Sequence, residues 1–161
     1  MNFAAIVLKA PAEVPPSWRF DWLFGCILIV LTVIFHVIAM GALRQKAIKT
    51  YGDGAKHRHP DLIFALVVGA TALLATIFHA VEVGIWAFAY LLIGAMADYR
   101  SAMLYSLGAM TTYGHADLFL QDQWRLMGAL EALSGWLLFG LTTAFLFWTI
   151  QEVSPTRHSG R

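Results

Sequence analysis

The chain contains little charge and almost no cysteine. Of its 161 residues, 13% are charged and 59% are apolar, whereas a soluble domain carries roughly 25% charged and 45–50% apolar residues. This composition argues against a soluble globular protein and for a protein of the lipid bilayer. The single cysteine, Cys26, excludes a disulfide framework or a multi-cysteine metal site within one chain. The net charge of +1 gives no indication of nucleic-acid binding.

Long apolar runs dominate the sequence. Trp22–Leu43 contains 22 residues without a formal charge, and Leu62–Val81 contains 20. Leu126–Ile150 contains 25 residues and is interrupted only by Glu131. Each run is long enough to cross a hydrocarbon core of ~30 Å as a helix. The sequence therefore predicts an all-α integral membrane protein with three transmembrane helices.

The run Val83–Ala97 adds 15 apolar residues after the second predicted span. This run is too short for a fourth crossing at ~1.5 Å per residue. A single helix from Asp61 to Ala97 would be ~55 Å long and would overshoot the bilayer. Such a helix either projects outward or breaks near Gly84, and we expect a long helix that bends near Gly84.

Basic residues set the expected orientation, because they favour the cytoplasmic side of a membrane. Seven of them lie on the side of the 44–60 connection and the C-terminus, against four on the other side. We therefore expect a cytoplasmic C-terminus and an external N-terminus. The cytoplasmic set comprises Arg44, Lys46, Lys49, Lys56, Arg58, Arg157 and Arg161.

The segment between the second and third spans does not have the sequence of an ordinary loop. Asp98 is placed to cap a short, mostly apolar helix over Tyr99–Met110. The polar stretch Thr111–Gly114 follows it and leads to the last apolar span. Non-helical backbone is tolerated at membrane depth only where protein buries it or where it lines water. The pattern therefore predicts a re-entrant element, and with it a pore or a binding cavity.

This order of segments resembles the pore module of tetrameric potassium channels, in which an outer helix, a pore helix, a filter and an inner helix follow one another. The filter of that family is a run of threonines followed by x-Gly-Tyr-Gly-Asp. This chain reads Thr111-Thr112-Tyr113-Gly114-His115-Ala116-Asp117. Ser101–Leu107 is similar to the pore helix, and Trp124–Gly135 is similar to the start of the inner helix. The resemblance covers about residues 62–150 and is especially marked to small bacterial ion-channel proteins with an additional N-terminal span.

The resemblance implies a passive channel for monovalent cations rather than an enzyme, with no cofactor besides the permeant K⁺ or Na⁺. Rings of backbone carbonyls would replace the hydration shell of the cation, principally those of Thr112, Tyr113 and Gly114. One chain offers too few carbonyls, so the resemblance implies a homotetramer in contact with lipids of a bacterial inner membrane. The implied organisation is an extracytoplasmic segment 1–19, a first transmembrane helix 20–43, a basic cytoplasmic loop 44–60, a pore module 61–150 and a cytoplasmic tail 151–161.

Two filter positions depart from the family pattern. His115 stands where the family has tyrosine, and Ala116 stands where it has the second glycine. Alanine pays roughly 1–2 kcal/mol for left-handed backbone geometry, so we expect weakened potassium selectivity. Protonation of four His115 rings near the outer mouth would repel cations, which predicts block by external acid. A non-conducting membrane subunit or scaffold that retains the pore architecture remains the main alternative.

Acidic residues near the predicted filter have two interpretations each. Asp117 and Asp122 either concentrate cations in an outer vestibule or form a solvated turn. Glu82 and Glu131 lie within apolar runs, where an ionisable residue usually has a function. Together with His79 on the same helical face as Glu82, they would brace the pore helix from behind. The expected contacts on that helix are Arg100, Tyr105 and Ser106.

Other interpretations of the buried polar residues stay open at this stage. Glu82 alternatively marks the outer interface, with Trp86 and Tyr90 as an aromatic belt. A haem-binding subunit is a third hypothesis. His36 at ~10 Å and His79 at ~26 Å from the cytoplasmic ends of their spans differ too much in depth for a haem clamp. A packed interhelical hydrogen bond is the expectation for His36. The last helix contains glycines that permit either close packing or a gating bend, namely Gly128, Gly135 and Gly140.

Overall fold

The computed structural model describes residues 17–54, 59–114 and 117–154. They form four α-helices, and no β-strand occurs in these ranges. The helices are α1 (Ser17–Gly54), α2 (Pro60–Leu92), α3 (Tyr99–Met110) and α4 (Arg125–Val153), the last preceded by a 3₁₀ turn at Asp122–Trp124. Three segments are long and apolar enough to cross a membrane: Trp18–Asp53, Pro60–Leu92 and Asp122–Val153. The prediction of an all-α chain with three apolar helices of spanning length is therefore confirmed.

Helix α1 is longer than the sequence predicted. It continues to Gly54, so most of the predicted loop 44–60 is helix, including Arg44, Lys46 and Lys49. Buried residues at helical spacing on this extension, Ala47 and Tyr51, pack against the start of α2. Such contacts stabilise a helix far more than propensity alone. The connection to α2 is consequently short, and its residues 55–58, with Lys56 and Arg58, lie outside the described residues.

Helix α2 is continuous through Gly84, as the expectation of one long helix requires, but it ends at Leu92 and not at Ala97. Pro60 starts the helix at a position where its missing N–H costs nothing. The helix ends at Leu92, and Gly94 follows in the left-handed region at φ +69°, a common way of ending a helix. The backbone N–H groups of Ala95 and Met96 then return to the carbonyl oxygen of Tyr90. The apolar run past Leu92 thus belongs to a turn and not to the helix.

Helix α3 has the boundaries that the sequence predicted. Asp98 adopts an extended conformation, and its carboxylate accepts a hydrogen bond of 2.9 Å from the backbone N–H of Ser101. This bond satisfies one of the donors that every helix N-terminus leaves unpaired. The bond also lowers the pKa of Asp98 below its ordinary value, because it favours the charged carboxylate.

The side-chain contacts define how the helices run. Helices α1 and α4 run in the same direction, since Thr32 lies 3.5 Å from Ser134 and Arg44 lies over the ring of Trp148 at 4.7 Å. Helix α2 runs in the opposite direction, because its first turns contact the end of α1. Helix α3 packs between α2 and α4. The main core consists of buried residues of α2, α3 and α4 and of the segments that connect them. These are Val83, Trp86, Ala87, Tyr90, Ala95, Ala102, Met110, Leu120, Met127, Leu130 and Leu138.

Glycines let α4 approach its neighbours at van der Waals distance. A Cβ atom at Gly135 would lie 2.1 Å from the backbone oxygen of Met110, and one at Gly128 would lie 2.0 Å from the hydroxyl oxygen of Tyr105. A Cβ at Gly140 would meet no atom within 4 Å. Of the two sequence interpretations, close packing therefore applies to Gly128 and Gly135, and both contacts are to α3. The end of α3 is held where the filter-like segment begins.

Candidate functional site

The filter-like segment starts directly at the C-terminus of α3. Thr111 ends the helix, and Thr112 takes the left-handed conformation at φ +56°. Gly114 is also left-handed, at φ +82°, and its N–H donates to the carbonyl oxygen of Gly108 at 3.2 Å. A left-handed residue that is not glycine is uncommon and often belongs to a functional segment. The chain is thus turned sharply at the position where the sequence places the filter.

The filter-like segment is exposed on the single chain. The Tyr113 side chain is 89% exposed, and Thr111, Thr112 and Gly114 are exposed as well. A groove of about 650 Å³ runs beside it, lined by residues of α3 and by Asp117 and Leu118. His115 and Ala116, the two atypical filter positions, lie outside the described residues. The described part of this segment has few contacts within its own chain and leaves its outward face open.

Of the two acidic residues after the filter, only Asp117 lies beside the segment. Asp117 lines the groove with Tyr113 and Gly114. The carboxylate of Asp122 lies 2.6 Å from the guanidinium of Arg125, the first residue of α4, and both side chains are largely exposed. Gln121 is anchored differently, since its N–H donates to the carbonyl oxygen of Ala95 at 3.3 Å. Asp122 thus has a local helix-start partner, and Asp117 faces the groove.

A second, smaller groove lies between the end of α3 and α4. It has a volume of about 410 Å³ and is lined by Met110, Thr111, Thr112 and one face of α4. The α4 face contributes Trp136, Phe139, Gly140 and Thr143. Phe139 therefore lies next to Thr112 at this groove.

Behind α3, Glu131 is completely buried and accepts hydrogen bonds from two other elements. The Tyr90 hydroxyl donates to one carboxylate oxygen at 2.6 Å, and the Ser106 hydroxyl contacts the other. Ser106 also lies 2.9 Å from the carbonyl oxygen of Val83. One serine of α3 is thus tied to both α2 and α4. The predicted contact between Glu131 and this helix is made at Ser106; Tyr105 instead packs edge-on against Tyr90, with ring centroids 5.6 Å apart.

Glu82 belongs to a different network, at the centre of the three long helices. The Nδ1 atom of His36 lies 2.7 Å from Oε1 of Glu82, and the Nδ1 atom of His79 lies 2.8 Å from Oε2. The Nε2 atoms of the two histidines lie 3.1 Å and 2.8 Å from the hydroxyl oxygen of Thr142. His36 and Glu82 are fully buried, and His79 is nearly so. All three spanning-length helices contribute to this network.

The predicted cluster of His79, Glu82 and Glu131 is therefore two separate networks. Glu82 pairs with His36 and His79, whereas Glu131 pairs with Tyr90 and Ser106. The aromatic-belt alternative for Glu82 is also wrong, because Trp86 and Tyr90 are fully buried. Only the Glu131 network reaches α3 through hydrogen bonds.

The depth difference assigned to the two histidines is wrong as well. The rings of His36 and His79 are neighbours, with centroids 5.2 Å apart. The error came from ending the first helix at Leu43. Measured from Gly54, His36 lies ~27 Å along its helix, and His79 lies ~28 Å from Pro60. The interhelical hydrogen bond expected for His36 is present, and every ring nitrogen of the pair points at Glu82 or Thr142 rather than at space for a porphyrin.

Sequence reasoning missed Thr142 and the partnership of His36 with Glu82. A signal was present in the spacing of residues on each helix. On α1, the buried residues Thr32, His36, Met40, Leu43, Ala47 and Tyr51 recur every three or four positions. This spacing continues past the basic residues Arg44, Lys46 and Lys49, so it would have predicted a longer α1. In that longer helix His36 lies at the level of His79.

Comparison of the chain with protein-family models, with curated proteins and with solved structures gave no match in any of the three. A functional assignment must therefore come from the sequence pattern and from the geometry of these residues.

Proposed function

We propose that this chain is one subunit of a homotetrameric, passive channel for monovalent cations with weakened potassium selectivity. In this proposal α2 is the outer helix, α3 a re-entrant pore helix, residues 111–117 the filter, and α4 the inner helix. The membrane is a bacterial inner membrane, with the N-terminus outside and the C-terminus in the cytoplasm. The protein catalyses no reaction and needs no cofactor besides the permeant K⁺ or Na⁺.

The observation that carries the proposal is the turn after α3. A short, capped helix ends in a segment with two left-handed residues, Thr112 and Gly114, between two apolar helices of spanning length. Left-handed residues redirect successive carbonyl groups, as a ring of inward-facing oxygens requires. The support of α3 by Glu131 and the close contacts at Gly128 and Gly135 would hold such carbonyls in place.

The exposure of the segment supports assembly around an axis. Tyr113 is 89% exposed on the single chain, and non-helical backbone is tolerated at membrane depth only when protein or a water-filled path surrounds it. Three further copies would supply those surroundings. The groove between Thr112 and the Phe139–Thr143 face of α4 would then open towards the central path below the filter.

The proposal is tested by ion flux into liposomes that contain the purified protein, under a K⁺ or a Na⁺ gradient. We expect cation flux from the native protein, with higher K⁺ over Na⁺ selectivity in the double variant His115→Tyr, Ala116→Gly. Gly114→Ala should abolish most of the flux, because alanine is strained at φ +82°. Gly94→Ala is the matched control: it is also left-handed with open space around it, but it lies outside the filter.

Two results would contradict the channel. Flux from the double variant but none from the native protein would establish the scaffold alternative, for which His115 and Ala116 are the evidence in the sequence. A native mass other than four chains would contradict both the channel and the scaffold with a pore architecture. Equal flux from Gly114→Ala and native protein would place the ion path elsewhere.

A further inference from the structure

The network of His36, His79, Glu82 and Thr142 is not part of the proposed filter. It lies within one chain, where the three long helices meet, and its members come from α1, α2 and α4. A buried carboxylate costs several kcal/mol unless it is paired and hydrogen-bonded. Because burying Glu82 is costly, the presence of two histidines around it suggests a specific role for this network.

We propose that His36, His79 and Glu82 form a binding site for a divalent transition-metal ion of the zinc class. One nitrogen from each histidine and a carboxylate oxygen of Glu82 all lie within 4.8 Å of one another. Two imidazole nitrogens and a carboxylate are a donor set that zinc uses, with bonds of about 2.0–2.2 Å. The set contains too few oxygens for Ca²⁺ or Mg²⁺ and lacks the sulfur that selects Cu⁺.

The hydroxyl of Thr142 determines which ring nitrogens face the metal. Its oxygen lies 2.9 Å from the carbonyl oxygen of Leu138, which can only accept a hydrogen bond. When Thr142 donates its one proton there, it accepts from the Nε2–H groups of both histidines. The ligating nitrogens are then both Nδ1 atoms. Such a hydrogen bond to the far nitrogen is the usual support for a metal-bound histidine.

The Nδ1 atoms lie at 2.7 Å and 2.8 Å from the two oxygens of one carboxylate. With both Nε2 atoms as donors to Thr142, both Nδ1 atoms face the carboxylate of Glu82. One divalent metal ion bound between the two Nδ1 atoms and this carboxylate would join all three groups. In a tetrahedral zinc site neighbouring ligand atoms are about 3.3 Å apart, so metal binding requires each Nδ1 atom and the carboxylate oxygen that it contacts to move apart by about 0.5 Å.

The His79 side chain is the part of the site that reaches the surface, and Phe139 of α4 covers it. The His79 side chain retains 11% of its exposure, while Glu82 has none. The Phe139 ring lies tilted against the His79 ring, with centroids 4.5 Å apart, and lines the groove next to Thr112. Rotation of this one phenylalanine would open the site to that groove.

Metal content of the full-length protein, purified in detergent without a histidine tag, tests the proposal. After chelation and equilibration with Zn²⁺, we expect one zinc ion per chain, and after equilibration with Co²⁺ a visible absorption of tetrahedral cobalt. Glu82→Gln and His36→Gln should lower the metal content to background. His59→Gln, at the exposed start of α2, is the control and should leave it unchanged.

A second pair of variants keeps all three ligands and is less disruptive. Thr142→Val removes the partner of both Nε2 atoms and should weaken zinc affinity about 10- to 100-fold. Thr143→Val is its matched control, because among the described residues the hydroxyl of Thr143 donates to the carbonyl oxygen of Phe139 and contacts no histidine. The metal site would be rejected if native protein bound no zinc or cobalt, or if Glu82→Gln bound as much metal as native protein. The four residues would then form a hydrogen-bonded network without a metal. Neither result depends on whether the protein conducts ions.

Discussion

At the residue scale, the two buried acids differ in what surrounds them. Glu82 faces two histidines that can carry positive charge, and Glu131 faces the hydroxyl groups of Tyr90 and Ser106. An unpaired polar group in an apolar interior costs free energy, so each partner is expected to be important for stability. The hydroxyls around Glu131 also accommodate a neutral side chain, since Ser106 has the carbonyl of Val83 as a second acceptor.

Removing one partner of Glu131 tests its structural role. Tyr90→Phe deletes the donor at 2.6 Å and leaves a buried oxygen unpaired, so we expect destabilisation of about 1–3 kcal/mol. The measurement is the thermal unfolding of the detergent-solubilised protein. Tyr99→Phe is the control, because the Tyr99 side chain is 55% exposed. An equal midpoint for the two variants would show that the Tyr90–Glu131 bond has no net effect on stability.

The glycines of α4 allow a comparison of two substitutions on one helix. Gly135→Ala would place Cβ 2.1 Å from the Met110 backbone oxygen, whereas Gly140→Ala meets nothing within 4 Å. Forced overpacking typically costs about 1–3 kcal/mol, and backbone cannot yield as a side chain does. We expect a lower unfolding midpoint for Gly135→Ala and an unchanged or higher one for Gly140→Ala, since alanine favours helix. The reverse order would contradict the observed contact between α3 and α4.

At the scale of elements, the start of α3 depends on the ionisation of Asp98. Its carboxylate accepts from the Ser101 N–H, which lowers its pKa in the folded chain below the ordinary value of 3.8. A lowered pKa means that the folded state binds fewer protons than the unfolded state in this range. The stabilisation is therefore complete above pH 3.8 and is lost as pH falls through the lower pKa of the folded state.

Asp98→Asn tests this pH dependence. Asparagine also caps helices but does not titrate, so this variant should keep the neutral-pH stability and lose part of the slope below pH 4. Asp98→Ala should be less stable than native protein at neutral pH. Unfolding midpoints measured between neutral and strongly acidic pH distinguish the three chains. Identical slopes for native protein and Asp98→Asn would mean that another carboxyl group dominates the acid response.

The elements were predicted best where one local signal defined them. Apolar length was sufficient for the three long helices, and Asp98 was sufficient for the start of α3. The end of α1 was missed because basic residues were taken to mark a loop, although Leu43, Ala47 and Tyr51 continue the buried stripe. The partners of Glu82 could not be assigned from α2 alone. They depend on how α1 and α4 are aligned with it, which is a tertiary property.

At the scale of the whole molecule, the two polar networks lie at different positions along the helices. The Glu131 network lies beside α3 and the filter-like segment, and the histidine network lies further along the same three-helix bundle. The proposed channel needs the first network to hold α3. The proposed metal site needs only the second, so the flux and metal-content experiments examine different parts of the bundle.

The length of α1 has a mechanical consequence. The helix continues for 18 residues beyond His36, which is ~27 Å, and it is bound to the start of α2 at Ala47 and Tyr51. If this part of α1 moves as a rigid helix, a tilt of about 10° at the level of His36 would displace Gly54 by about 5 Å. Small rearrangements around the buried histidines would therefore be amplified at the connection between α1 and α2. A spin label or fluorophore at Asp53 would measure them at a distance from the site itself.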